Sequence, residues 1–205
     1  MAEAGRPGPG QAGPGAARAA TTAAVVLAAG SSRRLGGGAN KLLVPFRGRP
    51  LVAWAVESAL GAGLDETVVV EGAVSLEEVV GEGVTLLRNE SWADGQGSSL
   101  GVALDWCARQ GHQAAVVGLG DQPMVPSQAW RQVASATAAP IAVATYAGRR
   151  RNPVRLDASV WPLVDTGADR GARELMLRHP ELVVEVACEG EPADLDTWED
   201  FERWS

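Results

Sequence analysis

The 205-residue chain is poor in cysteine. Cys107 and Cys188 stand far apart, with no His or Cys near enough to build a metal site, and their placement suits a reducing, cytoplasmic setting. Histidine is equally scarce. His112, beside a glycine and ahead of a strand, and His179, ahead of Pro180, read as surface or helix-end residues rather than catalysts. No apolar run approaches the roughly 18 residues of a membrane span, and the N-terminus has no continuous apolar stretch of the secretory kind. No membrane association is therefore expected. Positive charge is also in deficit: the net charge of −7 and a pI near 4.9 exclude a surface that coats nucleic acid, which needs excess Lys and Arg to displace counterions. Phenylalanine and tyrosine total three, against seven tryptophans scattered over different elements. Most of those tryptophans read as core or rim packing rather than base-stacking platforms.

What remains is aliphatic and glycine-rich. Hydrophobic residues make up 46% of the chain, enough for one sizeable core and short for two. Residues 1–20 are Ala, Gly, Pro, Gln, Glu and Arg without periodicity, which predicts a disordered tail ahead of a single domain over 21–205. In that domain, apolar runs at 25–27, 67–70, 84–87, 114–119, 141–146 and 182–186 predict strands. Helical spacing over 51–62, 98–109 and 127–136 predicts helices between them, with a short helical piece at 75–80. Pro50 is placed to open the first of these, and Ser98 or Ser99 to cap the second. Strands alternating with helices imply an α/β, three-layer, doubly wound and mostly parallel sheet.

The most informative stretch follows the first strand. Val25-Val26-Leu27 breaks off at Ala28, Ala29 and Gly30, which remove bulk beside the backbone. Ser31 and Ser32 then offer hydroxyls, and Arg33, Arg34 and Lys41 bring cations to a segment rich in exposed N–H groups. Such a loop suits a polyphosphate. It is neither a P-loop, because Lys41 follows Asn40 and precedes Leu42, nor a dinucleotide fingerprint, because no Gly-x-Gly-x-x-Gly opens a helix there. A second group of cations stands at Arg149, Arg150 and Arg151, again suiting a small anion. Asp121 closes the apolar run 114–119, and open α/β sheets place ligands at that carboxyl edge.

The stretch resembles the signature Leu-Ala-Ala-Gly-x-Ser-x-Arg-Met-Gly, followed by Lys, of the MobA-like nucleotidyltransferases. Leu27, Ala28, Ala29, Gly30, Ser32, Arg34 and Gly36 fall on it, Leu35 replaces Met, and Lys41 takes the lysine position. The resemblance extends to Gly120-Asp121-Gln122-Pro123, similar to the family's metal-binding motif, and to Asp194-Leu195-Asp196-Thr197-Trp198-Glu199-Asp200 near the end. It also covers the segment from Asn89, with its Trp and Gly-x-x-x-Ser-like turn, used in the family around the nucleoside. Two places depart from the pattern. Asn152 stands before Pro153 where the family has His, and the 167–173 segment carries one additional residue before its Asp.

The resemblance implies a Rossmann-like nucleotidyltransferase fold, Mg²⁺ as cofactor, and transfer of a nucleotide from a nucleoside triphosphate to a phosphorylated acceptor with release of pyrophosphate. The Ala28-Ala29 form and Gln122 resemble the cytidylyltransferase branch, so CTP is the expected donor and molybdopterin carrying molybdenum the expected acceptor, with a molybdoenzyme or chaperone as a further partner. The implied catalytic residues are Arg34, Lys41 and Asp121. Nucleotide contacts are expected from Leu27, Ala28, Ala29, Gly30, Ser32, Arg34, Lys41, Asn89, Gly97, Ser98 and Asp121. Asp121 and Asp196 are the expected metal ligands, with Asp194 in reserve. Arg34 and Lys41, as exposed loop charges, would add little to stability. Two alternatives stay open: the same fold acting on another phosphorylated acceptor with GTP or CTP, and a non-catalytic cofactor-binding protein.

Overall fold

A computed structural model describes residues 20–31, 40–167 and 171–204. The expected tail over 1–20 lies almost wholly outside the described residues. The centre of the molecule is β1 (Thr22–Ala28), whose side chains alternate between two cores. Ala24, Val26 and Ala28 enter one, and Ala23, Val25 and Leu27 enter the other. A strand apolar on both faces must be covered on both, and it is. β4 (Glu66–Glu71) and β6 (Ala114–Leu119) flank β1 in parallel, and β5 (Thr85–Arg88) extends the sheet beyond β4. On the first face lie α1 (Leu51–Leu60), the short α2 (Glu77–Val80) and α4 (Ser127–Ser135). The second is covered by α3 (Gln96–Gln110) and α5 (Ala172–Arg178).

The other half of the sheet is completed by β7 (Ile141–Tyr146), β8 (Arg149–Asp157) and β9 (Val183–Ala187), giving the order β5-β4-β1-β6-β8-β7-β9. The layered, mostly parallel α/β architecture matches the reading of the sequence, with one addition. β8 runs antiparallel to both β6 and β7. Three arginines and Pro153 conceal it as a strand, yet Ala147 and Gly148, at φ 48° and 75°, make the tight turn that folds it back on β7. Its reversed direction carries Asn152 to the carboxyl edge of β6.

A third, smaller cluster ties the chain's end to its beginning. β2 (Pro45–Phe46) and β3 (Arg49–Pro50) form a small hairpin, and α6 (Trp198–Trp204) docks on it. Phe46 meets Phe201 edge-on at 6.1 Å between ring centroids, and Leu195 is fully buried beside them. Arg47 donates to the Trp204 carbonyl oxygen at 2.9 and 2.6 Å. Thr197 and Asp200 cap α6 reciprocally, Asp200 N donating to Thr197 Oγ1 and Thr197 N to Asp200 Oδ2. α3 differs from its expected start. It begins at Gln96 after Gly95 (φ 110°, ψ 176°), and neither Ser98 nor Ser99 caps it. His112 is also not a surface residue: it is 7% exposed, with Nε2 2.7 Å from Glu66 Oε2. His179 stays at the surface beside Glu181. No described helix is long and apolar enough to cross a membrane.

Candidate active site

The carboxyl ends of β1 and β6 and the loops leaving them enclose a cleft of about 680 Å³. Its floor is backbone: Gly120 N donates to Leu27 O at 2.9 Å, and Ala73 N to Ala29 O at 3.0 Å. Leu27, Ala28, Ala29 and Gly30 all line it, as the loop reading anticipates. Ser32 and Arg34 lie outside the described residues. Where the chain resumes, Asn40 bridges the loop's two ends. Its Nδ2 donates to Gly30 O at 2.9 Å, and its Oδ1 accepts from Leu42 N at 3.0 Å, capping a 3-10 turn over Lys41–Leu43. The sequence reading passed over Asn40, although an Asn directly ahead of Lys-Leu-Leu carries a cap signal.

That turn presents Lys41 to two acids. Its Nζ stands 2.7 Å from Asp121 Oδ2 and also contacts Asp196 Oδ1, across 155 residues of sequence. Leu195 N donates to Asp121 O at 3.1 Å, so the acidic C-terminal segment is stitched to the strand end directly. Asp121 and Asp196, expected from sequence to converge, thus share one ammonium. Lys41 is not the exposed loop charge anticipated above, being 9% exposed and paired. Burial by itself would lower the Lys41 pKa, but Asp121 and then Asp196 outweigh it and hold the ammonium above its ordinary value. A raised lysine stabilises the fold at every pH below its ordinary range, and this support goes only as pH climbs through the folded value.

Behind the pair, Gln122 is 3% exposed and bonded at both ends. Its Nε2 donates to Asp194 Oδ1 at 2.7 Å and to Pro192 O at 3.3 Å, and its Oε1 accepts from Asn152 Nδ2 at 3.3 Å. Burial first, then the neighbouring Asp121 carboxylate, raise the Asp194 pKa against the opposing Gln122 bond. Gln122 therefore braces the acidic segment and does not line the cleft.

Three expected nucleoside contacts are placed one layer back. Asn89 is 2% exposed, and its Nδ2 donates to Ser98 Oγ and Ser99 Oγ, each at 2.9 Å. Its Oδ1 accepts from Ser91 N at 2.9 Å, and Ser98 Oγ donates in turn to Ser91 O and Gly95 O. Gly97 is buried in the first turn of α3. None of the three lines the cleft; Trp92, Gln96 and Ser99 do. Asn89 and Ser98 hold the loop that carries Trp92.

Two carboxylates on one cation are the donor set Mg²⁺ uses, because it takes one or two protein carboxylates and completes an octahedral shell with phosphate oxygens and water. No cluster of three or more His, Cys, Asp or Glu arranged for a metal exists among the described residues. The site therefore fits a hard ion that arrives with phosphate, not a closed structural metal centre.

The profile of the MobA-like NTP transferase domain matches residues 24–183. Nicotine blue oxidoreductase of Paenarthrobacter nicotinovorans is 35% identical over 189 residues, covering 84% of this chain and 91% of that protein. The crystal structure of Rv0371c from Mycobacterium tuberculosis superposes with a TM-score of 0.76 at 32% identity, over 90% of this chain and 97% of that one. Its complex with manganese superposes at 0.67 and 29% identity, covering 90% and 97%. With the β1 loop, the cleft and the profile in agreement, the chain belongs to the family of MobA-like NTP transferase domains.

Proposed function

We propose that this protein is a cytidylyltransferase, transferring CMP from CTP to the phosphate of molybdopterin carrying molybdenum and releasing pyrophosphate. The observation that carries the reading is the convergence of Lys41, Asp121 and Asp196 at the mouth of a cleft floored by the 27–30 backbone. An acceptor phosphate oxygen attacks the α-phosphorus in line; the bond from that phosphorus to the bridging oxygen breaks, and pyrophosphate leaves. Lys41 supplies a cation for the negative charge on the phosphate oxygens. The small side chains of Ala28, Ala29 and Gly30 let those oxygens approach backbone N–H groups. Arg34 is assigned to the same triphosphate by its place in the signature. Asp121 and Asp196 would hold Mg²⁺, whose chemistry is to neutralise the α- and β-phosphate oxygens and orient the leaving group. A manganese complex of the related Rv0371c supports a divalent ion.

Asn89, Gly97 and Ser98 act in this reading by holding the nucleoside-side loop. CTP as donor and molybdopterin as acceptor rest on Ala28-Ala29 and Gln122 resembling the cytidylyltransferase branch. Asn152 in place of the family's His, its amide donating to Gln122 Oε1, favours a second reading in which the same fold acts on another phosphorylated acceptor. The oxidoreductase name of one relative is not carried over, because the loop after β1 has no dinucleotide fingerprint.

The test is thermal shift with each of the four nucleoside triphosphates plus Mg²⁺, followed by pyrophosphate release with molybdopterin. Ligand at ~100 times its Kd stabilises by about 2.7 kcal/mol. Selective stabilisation by CTP supports the reading. GTP binding more tightly would overturn the donor assignment, and no pyrophosphate with molybdopterin would overturn the acceptor.

A further inference from the structure

We propose that Gln122 is a positioning residue for the metal: its buried amide clasps the 192–194 segment to the end of β6, sets the Asp196 carboxylate beside that of Asp121, and takes no part in choosing the base. This rests on the reading of Lys41, Asp121 and Asp196 as a metal-dependent nucleotide site. From Cys188 to Thr197 the chain has neither helix nor strand, yet it carries one of the two acids. The apolar seat of Leu195 beside Phe46 and Phe201 brings this stretch to the molecule, but apolar burial is non-directional. Mg²⁺ by contrast requires near-octahedral ligands at roughly 2.0–2.1 Å. Directional bonds must therefore aim Asp196, and Gln122 supplies them.

Gln122 is 3% exposed and follows Asp121 directly, so one residue offers the first carboxylate and the next holds the segment that offers the second. Its Nε2 donates to Asp194 Oδ1 at 2.7 Å and to Pro192 O at 3.3 Å, while Leu195 N donates to Asp121 O at 3.1 Å. Gln122 Oε1 accepts from Asn152 Nδ2 on β8 at 3.3 Å, which fixes the end of the amide that faces the acidic segment. Glutamine meets this pattern because its amide has two donors and an acceptor; methionine, of similar size, has no donor, and glutamate would set a second carboxylate against Asp194. Upstream, Gly190 lies against Pro126. A Cβ there would come 2.5 Å from Pro126 Cδ, and the φ of 120° also favours glycine. The stretch is thus held at Gly190 and at Leu195, and Gln122 fixes the residues between them. Gln122 does not line the cleft, so it touches no base bound there.

A residue that aims a metal ligand should alter binding of the ion and not the choice of base. Two measurements separate these: Mn²⁺ binding in the presence of CTP, read by electron paramagnetic resonance, and calorimetric titration with CTP and with GTP at saturating Mg²⁺. The parent is compared with Gln122→Met, Gln122→Glu and the double variant Gln122→Glu/Asp194→Asn. Gln122→Met should bind Mn²⁺ about 10–100-fold more weakly, the range for loss of a partner that orients a metal ligand, while the ratio of CTP to GTP affinity stays within about twofold of the parent. Gln122→Glu should lose at least as much. The double variant inverts the bond: the new amide at 194 donates to the new carboxylate at 122, which still accepts from Asn152, so most of the Mn²⁺ affinity should return. If Gln122→Met fails to fold, the other two variants decide the matter. Unchanged Mn²⁺ affinity in Gln122→Met, no recovery in the double variant, or a CTP-to-GTP ratio moved toward GTP would overturn the inference and leave the nucleotide reading standing. A parent that binds neither nucleotide would overturn both.

Discussion

Two clusters of buried charge sit at opposite ends of the same strands, and they are built differently. At the amino edge, Glu66 opens β4 and is saturated. Its Oε1 accepts from Thr85 Oγ1 at 2.6 Å and Trp106 Nε1 at 3.0 Å, and its Oε2 meets His112 Nε2 at 2.7 Å. At the carboxyl edge, Asp121 and Asp196 share the single ammonium of Lys41 at the mouth of a cleft. The first cluster joins β4, β5, α3 and the turn ahead of β6 through Thr85, Trp106 and His112. The second gathers two carboxylates around one compact ammonium beside the cleft. The first arrangement ties strands and a helix together, whereas the second gathers two acids and a cation at a cleft.

The sharpest way to break this contrast is Asp121→Asn. Shape is kept and one charge is removed, so turnover should fall more than 100-fold, with pyrophosphate release as the readout and melting temperature nearly unchanged. Undiminished turnover would remove Asp121 from the reaction.

Lys41→Met should come next. Turnover should fall by ~10–100-fold, and stability should also fall by about 1–3 kcal/mol, less than for a fully buried pair, because both acids keep some solvent. Removing the resident ammonium should at the same time tighten nucleotide-free Mn²⁺ binding, measured by electron paramagnetic resonance. Weaker Mn²⁺ binding in Lys41→Met would show that lysine and metal do not compete for these acids.

Glu66→Gln sharpens the other side. It should lower stability by about 1 kcal/mol, since one partly buried carboxylate loses its charge-assisted bonds, and leave kcat and KM unchanged. Burial opposes ionisation of Glu66, but Thr85, His112 and Trp106 together outweigh it and hold the pKa below its ordinary value. A depressed acid contributes stability that is present above its unfolded pKa and lost as pH falls through the folded one. Denaturant titrations below about pH 4.5 should therefore show a steeper acid loss in the parent than in Glu66→Gln.

Asp194→Asn should have the smallest effect, and the opposite sign. A raised acid penalises the fold once ionised; the penalty is complete above the folded pKa and vanishes as pH falls below the unfolded one. The amide keeps an acceptor for Gln122, so a slight gain in melting temperature at neutral pH is expected, and none at pH 3. A loss at neutral pH would mean that the Asp194 charge is needed by Lys41.

Much of this was legible before any coordinates. The apolar runs over 114–119 and 141–146 coincide with β6 and β7 residue for residue, because strands buried on both faces are nearly free of polar residues, Thr145 being the exception in β7. Residues 27–30, Lys41 and Asp121, singled out in the sequence, all border the cleft. β8 was hidden because its exposed end is basic and Pro153 breaks the strand pattern; only pairing with β6 and β7 makes it a strand. Asn89 and Ser98 were expected near the nucleoside from the family resemblance, and only the fold shows that their side chains bond to each other. The scattered tryptophans read mostly as packing residues, and the fold brings Trp92 to the cleft.

By itself the sequence determined the layered α/β fold and which apolar runs become strands, since hydrophobic period and turn residues act over a few positions. Tertiary structure alone decided which acids Lys41 meets, which asparagine is consumed and which tryptophan faces the cleft. Each of those depends on contacts between distant segments, and the apolar docking of Leu195 and Phe201 against Phe46, not any pattern around Asp196, is what carries that acid to Lys41.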